Sequence, residues 1–390
     1  MNKKGFTLVE LLAVIAILAI LVIIALPNVL KMFNDAKKNS FLTEAKTVYS
    51  EISKKYISES MKGNKLTYVS SEDDTKLEMT GRDLQYCVFL NADGTIKSMK
   101  VSNGEYIAKL PLDKKITDLT SADLKDGNLD DYDCAHPFKS DSWNEIALNA
   151  RDCVNNPDSC PYKVGDEKEV KLEKYGTHKV RISNMSTPNE CNNSDFSQSA
   201  CGFVIEFCDV ITTYNINTRG EYKGITYPYG WNKDGWPESL MYKFLNDESL
   251  DGTNDKELSI INALPNELKS VIIDTKTVSG HGSEDTDNFI SMDKLYLLAT
   301  AEIWSLGTSK TIDGDTARDL TRQLDYYKGV TTNSYAKAIK NNSAGSASYW
   351  WSRSAYSNLN SHFYFIDAYG GWNIIAVAYE HGVSPAFRIG

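Results

Sequence analysis

The sequence predicts an α+β chain: a long N-terminal helix, a small strand-bearing head, and a larger C-terminal region of short strands with few helices. Three observations carry this. From Phe6 to Leu26 the chain is apolar except for Thr7 and Glu10, long enough to cross a hydrocarbon core as a helix at about 1.5 Å per residue. Beyond Pro27, the residues Phe41, Ala45, Val48, Ile52 and Tyr56 step by three and four, which is one apolar helical stripe waiting for a sheet. After that stripe, short β-type runs separated by Gly, Asn and Asp turns continue to the end of the chain.

The apolar run inserts despite its carboxylate. Fifteen Leu, Ile, Val or Phe residues lie between Phe6 and Leu26; at roughly −0.3 to −0.6 kcal/mol each they contribute about −5 to −9 kcal/mol. A carboxylate at the helix centre costs roughly +3 kcal/mol, and Glu10 is nearer the end. An ordinary secretory signal fits poorly, because no A-x-A site precedes Pro27 and such signals rarely hold a carboxylate. A plain anchor leaves the order Lys3, Lys4, Gly5, Phe6, Thr7, Leu8, Glu10 unexplained.

That order resembles the N-terminus of type IV pilins and pseudopilins. The resemblance implies cleavage by a prepilin peptidase between Gly5 and Phe6, methylation of Phe6, and Glu10 as an assembly residue facing the Phe6 amine of a neighbouring subunit. It also implies other pilin subunits as partners, with membrane lipid around the helix before assembly. Pro27 occupies a position where many of these pilins carry proline.

The expected organisation follows from the chain order. Residues 1–5 are a leader peptide and 6–62 the transmembrane and assembly helix, which Met61-Lys62-Gly63-Asn64 ends. Pro27 should kink or loosen that helix. Residues 63–150 form a small head and linker. In the head, Leu84–Leu90 and Ile96–Val101 read as strands around the turn Asn91–Thr95. The polar, Asp-rich stretch from about Asp113 to Asp133 reads as loop or linker. Residues 160–390 form the C-terminal domain. It opens on a hairpin, Val164–Leu172 with His178–Ile182, and continues with a strand at Phe203–Cys208. A helix follows over Trp236–Leu245 with Pro237 in its first turn. Ile260–Leu268 adds a helical stretch and Lys294–Leu298 a strand.

All seven cysteines fall between Cys87 and Cys208. Outside the cytoplasm they can persist as disulfides. Cys153/Cys160 and Cys191/Cys201 are the candidate pairs, close in sequence and each spanning a loop-like stretch. An odd count leaves at least one thiol free or intermolecular. Zinc is the rival reading, without any C-x-x-C pair to support it.

From about residue 160, several landmarks resemble an uncharacterised extracellular domain family related to the C-type-lectin-like and sulfatase-modifying-factor folds. They are Gly235-Trp236-Pro237-Glu238-Ser239, Lys243–Asn246, Asp293–Leu298, Tyr349-Trp350-Trp351-Ser352-Arg353-Ser354 and Gly382–Ile389. The resemblance implies a twisted, mainly antiparallel β domain with few helices and long loops. Trp350 and Trp351 alternate on a strand, and Arg353 can pair with a carboxylate or stack on a ring. Core roles come first for these three, with ligand contact the alternative.

Catalysis is not expected. No H-E-x-x-H, G-x-S-x-G or phosphate loop is present. The cysteines of sulfatase-modifying oxidases have no counterpart after Cys208. His136, His178, His281, His362 and His381 show no metal-ligand spacing, and no cofactor or metal is expected. Asp251–Asp255 and Glu284–Asp287 read as solvated loops, with calcium the rival. Net charge −10 and no basic run longer than a pair such as Lys3–Lys4 argue against a nucleic-acid partner. The reading is a minor subunit of a pilus or pseudopilus, anchored in the cell membrane before assembly. On a surface filament it displays an extracellular domain for adhesion to an unknown surface ligand. A membrane-anchored binding protein that never polymerises, and an extracellular enzyme borne on a filament, are the alternatives.

Overall fold

The computed structural model describes residues 8–64, 66–72, 76–77, 83–91, 93–110, 115–129, 134, 137–155, 157, 160–253, 257–305, 317–331 and 336–390. Two compact units divide at Cys134/Ala135.

In the first unit, helix α1 (Leu8–Met61) is one element of 54 residues that continues through Pro27. Its front half leaves its apolar side chains exposed and reaches a mean hydropathy of 3.2 over an 18-residue window. It is long and apolar enough to cross a membrane. Its back half buries Phe41, Ala45, Val48 and Ile52, the stripe read from the sequence, with Tyr56 packed at the edge. The helix stops where predicted. Gly63 takes φ +81°, the Asn64 amide reaches back to the Glu59 carbonyl and the Gly63 amide to Ser60, both at 3.0 Å. Those two bonds form a Schellman cap.

Five strands cover the stripe: β1 (Tyr68–Ser70), β2 (Gln85–Leu90), β3 (Ile96–Ser102), β4 (Tyr106–Leu110) and β5 (Lys125–Asp126), in that order and antiparallel throughout. The β2–β3 turn brings Gly94, at φ +83°, against the Tyr56 ring, where a Cβ would lie 2.1 Å from a ring carbon. Only glycine fits there. The Asp-rich stretch that reads as a linker instead contributes Leu119 and Leu124 to the core. Its carboxylates cap short turns: Asp118 accepts the Lys115 amide at 3.1 Å and Asp123 the Thr120 amide at 2.9 Å. Polar composition concealed two core leucines.

The second unit begins earlier than the sequence suggests. Short helices Pro137–Ser140 and Trp143–Asn155 place Phe138, Trp143, Ile146, Ala150 and Cys153 in its core. The segment read as the end of a head and linker at 150 therefore packs with the C-terminal strands. Two sheets follow. One carries the strands Ile272–Ile273, Pro385–Ile389, Val204–Phe207, Gly176–Asn184 and Glu167–Leu172 in that order, with Tyr296–Leu297 also pairing to Pro385–Ile389. The other orders Trp372–Ala376, His362–Ile366, Trp350–Ala355, His381–Val383 and Thr212–Tyr214. Pairing is antiparallel except where Trp350 faces Gly382. The predicted helix at 236–245 divides: a 3₁₀ turn at Trp236–Glu238, then an α-helix at Leu240–Asn246 capped by Ser239, whose hydroxyl accepts the Tyr242 amide at 3.0 Å. An N-cap serine starts the helix more strongly than the upstream proline.

Three cysteine pairs stand at disulfide distance: Cys87–Cys134, Cys153–Cys160 and Cys191–Cys201, with Cα separations of 5.7, 4.6 and 5.9 Å. The first was not read from the sequence, because 47 residues separate its partners. Cys208 is the free thiol. Burial pushes it up to about 12, so it is protonated and a poor nucleophile at neutral pH. Non-reducing peptide mapping of secreted protein is expected to return these three linked pairs and one alkylatable thiol at Cys208. Any other linkage would contradict the fold.

Candidate functional site

Two regions bear on function. The first is the start of α1. Gly5 and Phe6, the processing residues, lie outside the described residues. Glu10 stands in the first turn of the helix, on an exposed stretch of otherwise apolar side chains. A carboxylate is electrostatically favoured at a helix N-terminus.

The second is the strand Trp350–Ala355, every residue of which is buried. Trp350 and Trp351 are 0% exposed. Their indole N–H groups donate to the Ala338 carbonyl at 3.0 Å and the Tyr214 carbonyl at 2.9 Å. The three residues read as possible ligand contacts, Trp350, Trp351 and Arg353, thus present no surface to a ligand. Strand alternation sends Trp350 and Trp351 to opposite faces, but both faces of this strand are covered.

Arg353 is held in a polar cluster. Its guanidinium grips Glu302 with two bonds of 2.8 and 2.7 Å and donates to the Ser199 hydroxyl at 2.9 Å and the Leu297 carbonyl at 2.8 Å. The Ser199 hydroxyl donates to Glu302. Burial works against the Arg353 charge, but Glu302 overrides it and holds the guanidinium charged. Beside it, Asp319 accepts from the Ser354 hydroxyl and from the Gly280 amide at 2.9 Å.

Burial pushes the Asp319 carboxyl up to about 6, against an ordinary value of 3.8. A raised acid is a cost that is fully present above pH 6 and is relieved as pH falls through 6 toward 3.8, because the folded state then binds the proton first. Wild type is therefore expected to gain stability relative to Asp319→Asn between pH 7 and pH 4.5, by about 2 kcal/mol. Urea unfolding of both proteins across that range checks it. Parallel curves would show that Asp319 does not titrate there.

A second buried cluster lies between the sheet strands. Glu206 accepts from Arg181 Nε, Lys340 Nζ and the Tyr327 hydroxyl, each at 2.9 Å. Burial pushes Glu206 up, but Arg181 and Lys340 more than offset it and keep the carboxylate ionised. Burial lowers Lys340, and Glu206 offsets only part of that. The Lys340 ammonium also sits 4.2 Å over the Trp350 ring. Sequence reasoning missed Glu206, Glu302, Asp319 and Lys340, whose partners lie far along the chain.

Both clusters are enclosed, with Arg353 and Glu206 each met by opposite charge, while the buried Arg353 Nε makes no hydrogen bond. The acidic loop read as a calcium rival is likewise engaged. Glu284 accepts from the Tyr227 hydroxyl at 2.6 Å and Asn360 at 2.8 Å, and Asp285 takes the Asp234 amide at 3.1 Å. Among the described residues, no group of three His, Cys, Asp or Glu is arranged to hold a metal ion. In the second unit, the most open aromatic rings among the described residues are Tyr369 (76% exposed) and Tyr229 (57%), with Tyr349 and Tyr379 nearly half exposed. With 22 tyrosines in the chain, no pattern singled these out.

Residues 1–26 match the prokaryotic N-terminal methylation motif. Residues 210–390 match a domain of unknown function, DUF6273. No curated protein and no solved structure matches the chain. The N-terminal motif is of the type IV pilin kind, and it implies processing by a prepilin peptidase and assembly with other pilins. With the apolar helix and three disulfides, it fits membrane anchoring and exposure of the second unit at the cell surface.

Proposed function

We propose that this chain is a minor subunit of a type IV pilus or pseudopilus that displays its second unit for adhesion, without catalysis. The observation that carries the reading is the methylation motif at residues 1–26, joined to a 54-residue helix whose front half is apolar and exposed and whose first turn holds Glu10. Bulk favours a minor role, because a second unit spanning Ala135–Gly390 is hard to repeat at every step of a tight helical array. We read that unit as a relative of the C-type-lectin-like fold, on its GWPES, WWSRS and GVSPAFRI segments. Its exposed tyrosines Tyr229, Tyr369 and Tyr379 supply contact area for a surface ligand.

Glu10 is the register device in this reading. After cleavage the Phe6 amine is cationic near neutral pH and Glu10 anionic. In an apolar setting, pairing between subunits is favoured over leaving either charge alone. Glu10→Leu is expected to keep or slightly raise the membrane level while filament incorporation falls at least tenfold. Mass spectrometry of the same samples should find the mature N-terminus at Phe6 in both proteins. Normal incorporation would remove assembly as the role of Glu10. An uncleaved Met1 in wild type would remove the pilin reading itself and leave a membrane-anchored binding protein.

A further inference from the structure

We propose that the Cys191–Cys201 disulfide is a redox latch: it holds Ser199 over the buried Arg353–Glu302 ion pair, so that the core of the second unit is completed only in an oxidising compartment. The loop it closes has two halves. Asn192 to Asp195 are exposed, whereas Ser197, Ser199 and Ala200 are buried. The buried half enters the centre of the unit. The Ser199 hydroxyl bridges Arg353 and Glu302, and its carbonyl accepts the Tyr296 hydroxyl at 3.1 Å. The Ser197 hydroxyl meets that of Ser199 at 2.6 Å and accepts the Val278 amide at 3.2 Å. The Ser197 amide donates to the Leu320 carbonyl at 2.8 Å.

Both members of the ion pair are 0% exposed. A buried pair is steadied by hydrogen bonds to its remaining polar atoms and by the exclusion of water. Ser199 supplies one of those contacts, and it lies two residues from Cys201. Cys201 is 1% exposed, while Cys191 is half-buried at the loop's outer end. A dithiol therefore meets Cys191 first. Its thiolate attacks the Cys191 sulfur and the Cys191–Cys201 bond breaks. Cys201 leaves as a thiolate and takes up a proton. The second thiol then displaces Cys191, and the dithiol ends as its own disulfide. With the bond open, the loop gains conformational freedom, and the covalent one of the ties that place Ser199 is lost. The Cys153–Cys160 bond closes a different loop whose ends make no contact with Arg353 or Glu302 among those described.

The test is amide exchange of the peptide spanning Trp350–Ala355 in the full-length protein in detergent micelles. Removing the latch as Cys191→Ala/Cys201→Ala is expected to speed exchange at least tenfold, whereas Cys153→Ala/Cys160→Ala should change it less than threefold. In a background where the pair is replaced, Glu302→Leu/Arg353→Met, removing the latch should also change exchange less than threefold. Equal acceleration in both backgrounds would mean the disulfide acts through chain entropy alone and would overturn the proposal. So would an unchanged rate in the first variant. If the Glu302→Leu/Arg353→Met background does not fold, Ser199→Ala with the disulfide intact reads the same coupling: acceleration of at least threefold supports the latch, and a wild-type rate refutes it.

Discussion

Replacing Trp350 by alanine is expected to destabilise the second unit by about 3–5 kcal/mol, the range for deleting a fully buried large ring. The ring is 0% exposed, so its removal leaves a cavity in a strand that is covered on both faces. Two further losses come with it. The Ala338 carbonyl loses its 3.0 Å donor, and the Lys340 ammonium loses the ring beneath it at 4.2 Å. A buried cation whose charge is already disfavoured by burial is then less well shielded. Urea unfolding of the full-length protein followed by near-ultraviolet dichroism measures this. Tyr369→Ala, which removes a ring that is 76% exposed, is the control and should stay within about 0.5 kcal/mol of wild type. A Trp350→Ala cost below 1 kcal/mol would mean the ring is not a core element.

Breaking the Arg353–Glu302 pair from either side is expected to cost about 3–5 kcal/mol, and replacing both residues together is expected to cost less than either single change. The reason is asymmetric. Arg353→Met leaves a carboxylate at 0% exposure without its guanidinium, and Glu302→Leu leaves the guanidinium without its carboxylate. The double replacement leaves no buried charge of the pair, although Ser199 and Thr321 lose the partners they share with it. A double-mutant cycle by urea unfolding gives the coupling directly. Additive single effects would show that the two side chains do not act as a unit, which the two short parallel bonds between them contradict.

Much of the first unit was legible from residue order. The stripe Phe41, Ala45, Val48, Ile52 is a helical period, and a period needs no knowledge of what packs against it. The Gly63 stop and the Asn91–Thr95 turn are local as well: each depends on backbone conformations that a few neighbouring residues permit. Cys153–Cys160 and Cys191–Cys201 were legible because short loops bring their ends together. Leu119 and Leu124 were not, since two leucines among aspartates make no period. The helix Trp143–Asn155 was not read from the sequence, which placed residues up to 150 with the head and linker, whereas the helix packs into the core of the second unit. Trp350, Trp351 and Arg353 carried two readings, core or ligand contact, which differ only in whether a second layer covers the strand, and in the structure all three are buried.

What the sequence determined alone is therefore what near neighbours decide: the membrane-length apolar run with Glu10 near its start, the leader motif, the amphipathic continuation, the hairpins and the short cysteine loops. The tertiary structure decided which charges are buried together. Arg353 finds Glu302 across 51 positions, and Lys340 finds Glu206 across 134. At such separations no periodicity links the partners, because a buried charge is stabilised by whichever opposite charge the fold brings within about 3 Å, and only the returning chain makes that choice.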